Sequence, residues 1–179
     1  AGSNIREVVN TGVLDGAPQN ETTHLYASIR NDGGAEFHLV NSGDIFGTGT
    51  TGVYSSAALN FLENTGLIDG HIFSAGTTEL NNLGAINGDI LLGDFADDVQ
   101  NSGSINGDVF LGRGNDTYAA RLGGYASGVI FGEEGNDKLL GSDSSDVMDG
   151  GDHDDTLRGG GGEDELVGGN NEDHLRGGG

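Results

Sequence analysis

The sequence predicts an all-β fold, a right-handed parallel β-solenoid, on three observations. Glycine supplies 36 of the 179 residues and proline only one. That bias excludes collagen and proline-rich linkers and calls for a backbone that turns often. From residue 132 the chain divides without a gap into nines: GEEGNDKLL, GSDSSDVMD, GGDHDDTLR, GGGGEDELV and GGNNEDHLR, then GGG. Upstream, residues 82–100 (NLGAINGDILLGDFADDVQ) repeat at an offset of 19 in residues 101–119 (NSGSINGDVFLGRGNDTYA). Nine residues with one large apolar side chain hold a turn and a very short strand, because a helix needs apolar residues at every third or fourth position. Two such units make a coil, and stacked coils set like residues above like.

Taken from the amino end, residues 1–131 form irregular, wide coils. N-x-G starts recur at residues 10–12, 31–33, 41–43 and 64–66, so the period drifts between about 18 and 23 residues. Residues 53–63 (VYSSAALNFLE) are ambiguous, and a short helix is admissible there. Ile86–Leu92 and Ile105–Leu111 alternate apolar and polar residues and read as strands. Ala119–Ile130 reads as a transition, and residues 132–179 as a narrower roll whose inward ladder is Leu139, Met148, Leu157, Leu166 and Leu175.

Each nonapeptide starts with glycine and carries aspartate at its sixth position. Turns nine residues apart fall on opposite sides of the roll, and turns eighteen apart stack. One column is then Asp137, Asp155 and Asp173, and the other Asp146 and Asp164. Steps of 21 and 19 lead back from Asp137 to Asp116 and Asp97, as if both repeat types shared one stack. Calcium takes six to eight oxygen ligands, and glycine turns let backbone carbonyls converge while an aspartate adds charge.

These five units resemble the RTX (hemolysin-type) calcium-binding nonapeptide repeat, G-G-x-G-x-D-x-U-x, and the coils before them are similar to N-S-G-x-I-x-G repeats of bacterial surface β-helices. The resemblance implies a β-roll binding several Ca2+ ions between stacked turns. It implies a ligand set of Asp116, Gly132, Gly135, Asp137, Asp143, Asp146, Gly150, Asp152, Asp155, Gly159, Gly162, Asp164, Gly168 and Asp173. It also implies type I export, with folding on extracellular calcium. The chain departs from the pattern at the fourth position with Ser144, His153 and Asn171. Serine is the least suited of these to a left-handed turn. Phe95 stands where a small residue turns, which leaves Asp97 outside the set.

Charge narrows the partners. A formal net charge of -22 repels nucleic acid and anionic membranes and attracts cations. Residues 132–179 alone hold 14 acidic and 3 basic residues, so this segment is expected to be unfolded without calcium. No cysteine is present, which excludes thiolate chemistry and disulfides. GTGTTG at 47–52 copies a dinucleotide fingerprint by letter, but inside a glycine-rich repeat. The five histidines form no zinc motif, and no G-x-S-x-G elbow occurs. Seven scattered basic residues offer no cationic groove for a polysaccharide lyase or epimerase.

The expectation is therefore a non-enzymatic, secreted element of a bacterial surface or matrix. It would be adhesive or structural, as in an adhesin or S-layer, with possible contact to cell surface or polysaccharide and head-to-tail filaments through its solenoid ends. The alternative is the calcium-triggered folding and secretion module of a larger exported enzyme or toxin.

Overall fold

The computed structural model describes residues 6–14, 29–32 and 37–179. Among them there is no helix, and every strand pairs in parallel with its equivalent one coil away. One sheet stacks Arg6–Asn10, Phe37–Asn41, Phe61–Asn64, Glu79–Asn82, Asp98–Asn101, Thr117–Ala120, Lys138–Leu140, Thr156–Gly160 and His174–Gly178 in that order. The other sheet holds two further faces, joined by the long strands Asp44–Ser55 and Leu67–Ser74. One of these faces continues through Ala85–Asn87 and Ser104–Ile105 and ends at Tyr125–Ala126. The other continues through Ile90–Leu91, Val109–Phe110, Val129–Glu134, Val147–Asp152 and Glu165–Asn170.

The wide coils are thus three-sided and the roll two-sided. The change falls inside the expected transition, where Ala126 takes the place of Ile105 in its ladder. The 131/132 boundary lies within Val129–Glu134, which pairs on both sides, so the two coil types share continuous sheets. The helix admitted over 53–63 is absent: a strand ends at Ser55, the next begins at Phe61, and Leu59 is buried between them. GTGTTG lies within Asp44–Ser55, so the helix a dinucleotide site requires does not follow it.

Period-two alternation builds the core. Leu39, Leu62, Leu80, Val99, Tyr118, Leu139 and Leu157 stack register on register with no exposure. Val53, Ile72, Ile90, Val109, Ile130 and Met148 form the facing ladder. Of the five apolar residues expected inside the roll, Leu166 is partly buried and Leu175, on the last coil, is 41% exposed.

The N-x-G starts have a second purpose. Asn10, Asn41, Asn64, Asn82 and Asn101 lie buried one above another, each Nδ2 donating to the next Oδ1 at 2.7–2.8 Å. Their second Nδ2 proton reaches a backbone carbonyl, as from Asn64 to Ala85 O at 3.2 Å. The following glycine is forced by backbone contact: a Cβ on Gly66 would stand 2.0 Å from Gly43 O. The ladder stops where Ala120 replaces asparagine, and Asn101 turns to the Tyr118 hydroxyl and Tyr125 O. Asn31 of the 31–33 start lies in the other sheet and bonds Ser55 Oγ, so that start does not belong to the ladder.

Candidate metal centre

Each aspartate of the first column sits two residues before an inward ladder residue, at the corner leading into the nine-stranded sheet. Its Oδ1 accepts the backbone N–H of the residue one coil below: Asp97 N to Asp116 at 2.7 Å, Asp116 N to Asp137 at 2.8 Å, Asp137 N to Asp155 at 2.7 Å, and Asp155 N to Asp173 at 3.0 Å. The carboxylate therefore serves the turn with one oxygen.

The other oxygen is left over. Oδ2 of Asp97, Asp116, Asp137 and Asp155 is buried with no hydrogen-bond partner. These residues are only 1–3% exposed, and buried carboxylates are ordinarily paired, protonated or bound to metal. Burial is the main cause that pushes Asp97 and Asp116 up to about 7 and Asp137 to about 6, with the next carboxylate in the column adding to it. Asp155 is raised for the same first reason.

In the nonapeptides Oδ2 faces the first glycine of its own turn. A Cβ built on Gly132, Gly150 or Gly168 would stand 2.4, 2.3 and 2.3 Å from Oδ2 of Asp137, Asp155 and Asp173. The same relation links Gly141 to Asp146 (2.7 Å) and Gly159 to Asp164 (1.9 Å). Second and fourth positions take left-handed backbone: Glu133 and Gly135, Gly151 and His153, Gly160 and Gly162, Gly169 and Asn171.

The turn at 141–146 departs, as expected from Ser144 at its fourth position. Neither Ser142 nor Ser144 is left-handed. Ser142 donates its N–H (2.7 Å) and Oγ–H (3.0 Å) to Asp146 Oδ2, and Ser144 N–H donates to Ser142 Oγ. Asp146 thus has protein donors on the oxygen that is bare in the other column. Asp146 N–H donates to Asp164 Oδ1 at 3.1 Å, so the second column stacks as expected.

Asp143 and Asp152 are exposed and stand off both columns; Asp152 Oδ1 accepts from Asn170 Nδ2. Among the described residues no three His, Asp or Glu side chains gather as a metal group. An ion here needs carbonyl oxygens from the glycine turns to complete its shell, the donor set calcium accepts. Bare buried carboxylate oxygens beside side-chain-free turns fit such a cation, which would supply the missing positive charge. Asp97, placed in the stack by its offset of 19 from Asp116 but left out of the implied ligand set, lies in the same column as Asp116.

The RTX calcium-binding nonapeptide repeat family, in four copies, matches residues 122–152 and again 149–179. Residues 122–179 are an RTX calcium-binding repeat array. No curated protein and no solved structure matches the chain. The RTX match begins at Leu122, ten residues before the first regular nonapeptide, inside the change from three faces to two. The RTX turns and the wide coils are therefore built on the same two sheets.

Proposed function

We propose that the protein is a secreted, extracellular structural or adhesive element in which calcium locks the RTX roll onto a stiff, three-sided rod. The observation that carries this reading is the unbroken nine-strand ladder from Arg6–Asn10 to His174–Gly178, which makes rod and RTX roll one mechanical body. Low calcium inside a cell would leave the carboxylate columns uncompensated, and higher calcium outside would fold them.

A role without catalysis is supported by the surface. A groove of about 650 Å3 lies along the corner lined by Asp94, Arg113, Glu134, Asp149 and Asp152. Its arginine is already held by Glu134 at 3.1 Å, so an acidic sugar meets mostly carboxylates there. No described helix is long and apolar enough to cross a membrane. Parallel strands that pair edge on edge from coil to coil throughout the described residues are the geometry by which two copies would join.

Cell fractionation with the protein expressed in its source cells tests the location, and sedimentation of purified protein with calcium or chelator tests assembly. Surface or medium localisation and a calcium-dependent rise in mass are expected. Retention in the cytoplasm, or hydrolysis or elimination of a uronic acid polymer by the calcium-loaded protein, contradicts the proposal.

A further inference from the structure

The sheet built on Asp44–Ser55 and Leu67–Ser74 carries an aromatic stripe on its outer side. From Tyr54 the register runs through Phe73, Leu91 and Phe110 to Phe131. The rings are nearly parallel within each pair, Tyr54 and Phe73 at 5.0 Å and 11°, Phe110 and Phe131 at 4.9 Å and 8°. Each end of the stripe therefore turns one ring face away from its stacked neighbour. At the Tyr54 end a guanidinium covers that face: Arg30, the register partner of Tyr54, has its Cζ 4.6 Å from the ring centroid. Asp32 holds the same group from the side, its Oδ1 accepting from Arg30 Nε at 2.7 Å. A ring face with a carboxylate beside it is thus how this stripe already holds a cation.

The Phe131 end offers the same two elements without the cation. Its register partner on the next coil is Asp149 rather than a ring, and both line the groove of about 650 Å3. Asp94 and Glu133 share that groove, and among the described residues neither they nor Asp149 has an ion-pair partner. The groove's own arginine, Arg113, is held by Glu134 at 3.1 Å. These carboxylates are too dispersed to close on a bare metal ion, for among the described residues no three His, Asp or Glu side chains gather as a metal group. A planar, weakly hydrated guanidinium needs no such shell: it lies on a ring and meets carboxylates at its edge. The net charge of -22 disfavours an anionic ligand or a second copy of this chain.

We infer that this groove binds an arginine side chain of a basic partner protein, its guanidinium stacked on Phe131 and paired with Asp149. The site stands apart from the aspartate columns, to which neither Phe131 nor Asp149 belongs. At about 650 Å3 the groove exceeds one guanidinium and admits the residues that flank the arginine, which favours a peptide segment over the free amino acid. This names the partner's chemistry for the adhesive reading and rests on that reading for the meeting outside the cell.

Titration of the calcium-loaded whole chain with acetyl-Gly-Arg-Gly amide, followed by NMR, tests it, with the lysine analogue and guanidinium chloride as comparison ligands. The arginine peptide is expected to bind more tightly than either. Phe131→Leu removes the ring face while keeping an apolar side chain, as Leu91 already does in the same stripe, and Asp149→Asn removes the carboxylate. Each is expected to weaken the arginine peptide roughly 3- to 10-fold, with β-structure by circular dichroism retained. Phe73→Leu and Asp98→Asn make the same changes away from the groove and are expected to leave binding unchanged. A wild-type chain that does not bind the peptide, groove variants that bind as well as wild type, controls that lose as much, or a lysine peptide bound equally well would each overturn the inference. Retention of the protein in the cytoplasm, with the titration as expected, overturns the adhesive reading and leaves the site standing.

Discussion

Asp155 divides its two oxygens between two tasks: Oδ1 caps the Asp137 N–H at 2.7 Å, while bare Oδ2 lies 2.3 Å from where a Cβ on Gly150 would stand. The fold uses one oxygen, and the side-chain-free space beside the other is where a cation fits. Gly150 is not in the left-handed region, so alanine there acts through contact alone. Gly150→Ala is expected to raise the calcium midpoint roughly 10- to 100-fold, with β-structure recovered at saturating calcium. A calcium titration by circular dichroism measures the shift.

The pH dependence follows from the column. Asp97 and Asp116, which lie in the wide coils outside residues 132–179, stand above their ordinary 3.8, at about 7, chiefly through burial. A raised acid makes the folded chain bind more protons than the unfolded one, so metal-free stability falls as pH rises from about 4 to 7. Calorimetry in chelator is expected to give a higher Tm at pH 5 than at pH 8. Asp116→Asn is expected to flatten that difference. Calcium competes with the same protons, so its midpoint is expected to rise as pH falls below 6.

Ser142 occupies the oxygen of Asp146 that is bare in the first column. Ser142→Gly with Ser144→Gly removes the hydroxyl donor and permits the left-handed backbone of the neighbouring turns, in which the residue-142 N–H no longer has to meet Oδ2. The double variant is expected to bind one more calcium ion per chain than the wild type, counted by equilibrium dialysis. Asp146→Asn in the wild-type background is expected to lose less calcium than Asp155→Asn.

The asparagine ladder is independent of metal. Asn64→Ala removes the acceptor of Asn41 Nδ2 and the donor to Asn82 Oδ1, at 2.7 and 2.8 Å. Broken buried hydrogen bonds and the cavity predict a loss of about 2–4 kcal/mol. Urea unfolding of the wide coils is expected to show the same loss in calcium and in chelator.

Much of this was legible because a solenoid repeats its contacts. The Asp137–Asp155–Asp173 stack follows from spacing alone, since residues eighteen apart meet one coil later. Asp97 joined the stack by its spacing, and Phe95, which departs from the turn pattern, only kept it out of the ligand set; its carboxylate two residues on still reaches Thr78. Tyr54 and Phe73 stack at 5.0 Å and Phe110 and Phe131 at 4.9 Å on an outer face; tyrosine spacing alone could not reveal that stripe. Nor could the sequence tell that Ser142 would serve Asp146, because that depends on the conformation the turn adopts.

The central claim is that cations hold the RTX roll together. Amide hydrogen exchange read by mass spectrometry, in calcium and in chelator, tests it most directly. The account predicts that peptides from residues 132–179 exchange freely in chelator and become protected with calcium, while peptides spanning the asparagine ladder at 61–82 stay protected in both. Protection across 132–179 in chelator equal to that in calcium would contradict it.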